Sequence, residues 1–238
     1  MEIIHTTGIK SYVTAETCLR GSIALICLLG FVSEIPFLME HALSTAAPEH
    51  LFSNVAYDHI RPMMLFFYYA FHAFAYILFA YVVLLKPRDR TAGAIGLTVM
   101  LCMFLGKLSR YYVLTVMSEN PSIEQLFRII ATLAICLVFI DYIVVLYMKS
   151  IRIRFALIGI GMFMSTVCMV SFSFIRGGSG EFFHYNHAAV PDCIDIWDFN
   201  SLAVVLTILA VGILYPLLLV CRESDDSETE DRLPVMSR

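Results

Sequence analysis

The sequence predicts an all-α polytopic membrane protein with six transmembrane helices and both termini in the cytosol. Three observations carry this. The 238 residues are 59% hydrophobic and only 15% charged, whereas soluble domains have about 45–50% apolar and about 25% charged residues. The apolar residues gather into six runs, each long enough at about 1.5 Å per residue to cross or nearly cross a hydrocarbon core of about 30 Å. Lysine and arginine divide unevenly between the two sets of connecting loops, as the positive-inside rule requires. A mean hydropathy of +0.79 excludes a disordered or fibrous chain, and a net charge of −4 gives no reason to expect a nucleic-acid partner.

The runs are continuously apolar rather than alternating, which reads as helices and not barrel strands. The first, Gly21–Met39, follows a polar segment and enters Ser33-Glu34-Ile35-Pro36 with no small-x-small cleavage site, so it is expected to stay as a signal anchor, with Pro36 a potential kink. The second, Met63–Leu85, opens on Phe66, Phe67, Tyr68, Tyr69 and Phe71 and carries His72. In the third, Ala92–Met117, the clean apolar stretch ends at Leu105. That is about 21 Å of helix, too short to cross, so Lys107 must lie in the hydrocarbon or snorkel, with Arg110, Tyr111 and Tyr112 near the interface. The fourth, Ile129–Met148, holds Asp141; the fifth and sixth are Phe155–Phe174 and Ser201–Cys221. The expected organisation is a cytosolic segment 1–20, a membrane domain 21–221 and an acidic cytosolic tail 222–238. Cys221 is a candidate for palmitoylation, and Ser227-Glu228-Thr229-Glu230 for phosphorylation by an acidophilic kinase or simply a solvated tail.

Orientation follows from the cations. Lys10, Arg20, Lys86, Arg88, Arg90, Lys149, Arg152, Arg154, Arg222, Arg232 and Arg238 fall on one side, against Arg61, Arg128 and Arg176 on the other. The first side is cytosolic. The lumenal side has the longer loops and His41, His50, His59, His184 and His187, so binding and chemistry are expected there.

Ionisable groups inside a span cost about 2.5–3.5 kcal/mol on insertion scales and need a reason. For Lys107 two readings compete: snorkelling or a structural pair with Glu34, and capture of an anionic lipid headgroup together with Arg110. His72 reads as a hydrogen-bonded structural histidine ahead of a proton relay, and Asp141 as the cap of a small interhelical hydrogen-bond network. His184, His187, Asp192 and Cys193 are residue types zinc accepts, but their spacing matches no standard site. No metal and no cofactor is therefore expected. No Gly-x-Ser-x-Gly, His-Glu-x-x-His or phosphate-binding loop occurs.

Ordered features resemble a family. Leu43-Ser44-Thr45-Ala46-Ala47-Pro48 leads to His59-Ile60-Arg61-Pro62 ahead of an aromatic helix; Tyr112-Val113-Leu114-Thr115 closes the third span before Ile123-Glu124-Gln125-Leu126-Phe127. His187 to Cys193 then precedes Trp197, Phe199 and Val204-Val205-Leu206-Thr207. This pattern, over about residues 20–220, resembles the Frag/DRAM/Sfk family of six-span proteins, and within it the branch that remodels the lipid of GPI anchors. The chain departs from that pattern with Gly106-Lys107 in the third span, Ala203 in the sixth and Glu124 in the second lumenal loop. The resemblance implies a lumen-facing factor in GPI-anchor lipid remodelling in the Golgi or endoplasmic reticulum membrane, with membrane lipids and GPI anchors as partners and His59 and His187 as catalytic candidates. Its alternative is a non-catalytic, DRAM-like regulator of membrane organisation or autophagy in the lysosomal or plasma membrane.

The charge count makes a direct prediction. Epitope tags at residues 1 and 238 are digested by protease in sealed microsomes, while a tag near Gly178 is protected. Protection of the C-terminal tag contradicts six spans.

Overall fold

The computed structural model describes residues 3–46, 56–116, 123–178 and 196–230, with side chains described inside the spans. The helices are α1 (Ile3–Ala46), α2 (Ala56–Leu85), α3 (Arg90–Val116), α4 (Ile123–Tyr147), α5 (Ile151–Gly178), α6 (Ile196–Leu209) and α7 (Tyr215–Glu230), with a π-helical turn, Ala210–Leu214, joining the last two. Six stretches are long and apolar enough to cross a membrane: 15–39, 63–85, 90–112, 126–147, 151–171 and 202–222. The sixth is assembled from α6, the π turn and α7. The protein is thus an all-α, multi-pass membrane protein.

The helices outrun the apolar runs. α1 is continuous from Ile3, so residues 1–20 are largely one helix with the first span; α2 starts at Ala56, and α7 carries the beginning of the tail to Glu230. The reason is cooperative: apolarity stops where hydrocarbon stops, but a helix already nucleated gains one bond per added residue. Two connections are fully described, 86–89 and 148–150. In the first, Asp89 caps α3, its Oδ1 accepting from the backbone N–H groups of Thr91 at 2.9 Å and Ala92 at 3.1 Å.

Each helix packs on its neighbours in sequence, and the sixth span returns against α1 and α5, closing the ring; the π turn also reaches α4. On α2, Phe67, Phe71, Phe74, Ile77 and Tyr81 are exposed, while Tyr69, His72, Tyr76, Phe79 and Val83 are buried. Both sets recur at helical spacing. Apart from His72 both are apolar or aromatic, because the outer face meets lipid rather than water.

What selects the inner face is shape. Without a hydrophobic drive between helices in lipid, close approach at small residues takes over. A Cβ on Gly30 of α1 would lie 2.5 Å from the Tyr76 ring of α2, and one on Gly161 of α5 2.5 Å from the Tyr142 ring of α4. A Cβ on Gly93 of α3 would lie 2.8 Å from the Tyr215 hydroxyl. Glycine there is a socket for a tyrosine on another helix. The hydroxyls are also used: Tyr142 donates to the Gly212 carbonyl at 2.7 Å, in the turn where the helical ladder opens. Tyr76 and Thr207 hydroxyls are hydrogen bonded at 3.2 Å.

Gly30→Ala is expected to lower the thermal stability of the detergent-purified protein by about 1–3 kcal/mol through overpacking. Gly21 and Gly159 have open space at the same position, so Gly21→Ala and Gly159→Ala leave the midpoint unchanged or raise it slightly. Equal behaviour of all three in a thermal melt removes the socket argument.

Candidate functional site

The buried polar groups converge at one place. Glu34 of α1 is 0% exposed, His72 of α2 1% and Lys107 of α3 6%. Glu34 Oε1 lies 3.5 Å from Lys107 Nζ and 3.4 Å from His72 Nδ1. α1 and α3 run toward the side that the charge bias makes lumenal, and α2 runs back. At 1.5 Å per residue, Glu34 and Lys107 then sit about 8 Å below the lumenal ends of their spans, and His72 about 14 Å below. One carboxylate so ties three helices.

The contacts are not all satisfied. At 3.5 Å the lysine contact is longer than the roughly 2.7–2.9 Å of a strong charge-assisted hydrogen bond. Glu34 Oε2 and both ring nitrogens of His72 have no well-directed hydrogen bond among the described residues. The imidazole approaches the Glu34 carboxylate through Nδ1, but out of line. The Tyr68 ring lies over it, centroids 4.0 Å apart. Beside both rings, a Cβ on Gly106 would be 3.8 Å from Nε2 and 3.3 Å from Tyr68 Cε2. An imidazole with Nδ1 toward a carboxylate and Nε2 unpaired is the arrangement that takes up or delivers a proton at Nε2.

Arg110 extends the cluster toward the lumenal surface. Its Nη1 donates to the Tyr69 hydroxyl at 2.7 Å, and its guanidinium carbon is 5.9 Å from the ring centres of both Tyr68 and Tyr69, within cation–π range. Tyr69 in turn stacks on Phe37 of α1 at 5.0 Å. Lys107 and Arg110, one helical turn apart, therefore both engage α2 or α1: one through a carboxylate, the other through aromatic rings.

Asp141 corrects an expectation. It makes no side-chain hydrogen bond among the described residues, and its Oδ2 is buried without a partner. The inward direction at this level belongs to Tyr142, which reaches Gly212 across the bundle. Asp141, one residue back and about 100° round the helix, does not share it. His59 lies in the opening turns of α2 with its side chain outside the described residues, and His184, His187, Asp192 and Cys193 lie outside them altogether.

Sequence reasoning missed the opposite end of the bundle. Glu16 of α1 pairs with Arg20, and its Oε1 is also 3.4 Å from Arg222 Nε of α7. The Glu16–Arg20 spacing of four residues was a readable signal. Nothing in the sequence announced Arg222, which the closure of the ring delivers.

The chain matches no protein-family model, and neither curated proteins nor solved structures show a significant likeness to it. The motifs quoted above are the whole basis for the resemblance to the Frag/DRAM/Sfk family.

Removing one member of a buried ion pair leaves the other uncompensated, at about 3–5 kcal/mol. Lys107→Leu and Glu34→Gln are each expected to lower the melting midpoint of purified protein strongly, and the double variant to lose clearly less than the two losses combined. Additive losses in the double-mutant cycle break the pairing.

Proposed function

We propose that the chain is a multi-pass membrane factor acting on the lipid of GPI-anchored proteins, from the lumenal half of a Golgi or endoplasmic reticulum membrane. The observation that supports this is the Glu34–His72–Lys107 cluster, a buried acid, imidazole and amine in which three atoms have no well-directed hydrogen bond among the described residues, continued toward the surface by Arg110. A GPI anchor offers a phosphate at headgroup level above two lipid chains. Arg110 and Lys107 stand at and below the lumenal interface, where cations attract such a phosphate. His72 lies deeper, near the middle of its span, so on this reading an ester is drawn down between the helices to the imidazole, which moves a proton during acyl exchange. His59, at the lumenal start of α2, and His187 remain the candidates that the family resemblance brings.

A second reading has its own support. Lys107 already has Glu34, and Arg110 already has Tyr68 and Tyr69, so the same groups serve as internal ties of a non-catalytic, DRAM-like regulator of membrane organisation.

Mass spectrometry of GPI-anchor lipids from cells lacking the protein separates these readings. Remodelling predicts altered anchor chains, restored by wild type but not by His72→Gln or His59→Ala expressed at equal abundance. Unchanged anchor lipids together with unchanged surface levels of GPI-anchored reporters sink the proposal. A lysosomal or autophagic defect with normal anchors favours the regulator.

A further inference from the structure

At the end of the bundle opposite the Glu34 cluster, a cavity of about 100 Å³ opens between the α2–α3 turn and the last turns of the sixth span. It is several times larger than one water needs. Its polar lining is Arg88 and Asp89 from the turn, Arg90 at the start of α3, and Tyr215 and Arg222 from α7, with Leu146 among its apolar lining residues. The balance is cationic. Asp89 is committed to the backbone N–H groups of Thr91 and Ala92. Glu16 is shared between Arg20 and Arg222, and Arg222 Nη2 is buried with no hydrogen-bond partner among the described residues. Arg88 and Arg90 are exposed at the rim.

Position selects the ligand class. Arg88 lies in the turn after the second span, Arg90 opens the third and Arg222 ends the sixth, so the cavity lies at headgroup level of the leaflet that the charge count makes cytosolic. A basic pocket between helices at that level suits an anionic headgroup, and a guanidinium fork suits a phosphate. We propose that this pocket binds the phosphate of an anionic phospholipid of the cytosolic leaflet, with Arg88 and Arg90 closing over it and Arg222 beneath. The site is independent of the lumenal cluster and of any action on GPI anchors.

The test is the thermal melt of full-length protein in detergent, titrated with dioctanoyl phosphatidic acid, dioctanoyl phosphatidylcholine or inorganic phosphate. The variants are Arg88→Gln/Arg90→Gln and, as a control on the neighbouring cytosolic turn, Lys149→Gln/Arg152→Gln. The expected result is saturable stabilisation of wild type and control by phosphatidic acid alone. In Arg88→Gln/Arg90→Gln the midpoint concentration rises about twenty-five-fold, roughly fivefold per arginine lost. Equal stabilisation by inorganic phosphate overturns the lipid assignment in favour of free phosphate. Equal weakening in both double variants overturns the pocket in favour of diffuse surface attraction, and no stabilisation of wild type overturns the site. Both substitutions change exposed side chains outside the core, so folding is expected to survive them.

Discussion

Burying the Glu34 carboxylate inside an apolar bundle is unfavourable by several kcal/mol unless a cation lies beside it, and much of that half of the bundle is arranged to meet this requirement. Lys107 and His72 approach the same oxygen from two further helices, so α1, α2 and α3 are held in one register by a single group. Lys107 gains as well, since its own third span is otherwise too polar at that depth. The two insertion penalties partly offset each other once the helices meet. Buried ion pairs of this kind add little net stability over an apolar core. Their consequence here is specificity: a one-residue slip of α1 against α3 separates the charges.

The rest of the packing depends on shape rather than charge. Tyrosines at 76, 142 and 215 occupy sockets left by Gly30, Gly161 and Gly93, and the first two also hydrogen bond through their hydroxyls to α6 or the π turn. Each contact joins two requirements that lipid imposes together: close backbone approach and a partner for every buried polar atom. Exposed hydroxyls meet the same demand locally. Thr98, Thr166 and Ser171 donate to carbonyls one turn back, at Ala94, Met162 and Val167.

The two ends of the bundle are electrostatically unlike. At the end that holds Glu34, cations are drawn inward, onto a carboxylate and onto tyrosine faces. At the other end arginines surround a cavity and outnumber the acids committed to them. An asymmetric protein in an asymmetric membrane presents different chemistry to each leaflet, and both proposals follow from that difference.

The sequence by itself determined the fold class and the number of spans, because run length against bilayer thickness is a one-dimensional property. It also exposed Glu34, Lys107 and Arg110 as groups out of place, because a charge in an apolar run is visible without coordinates. It could not say where helices end, since helix propagation outlasts apolarity, nor which face of each helix turns inward, since lipid and core reward similar residues. Asp141 was misjudged for the same reason: hydrogen-bond direction depends on the azimuth of a neighbour on another helix. The Gly–Tyr sockets and the Glu16–Arg222 contact needed the closed ring, which brings together residues from opposite ends of the chain. Depth was legible in the sequence; azimuth was decided only by packing.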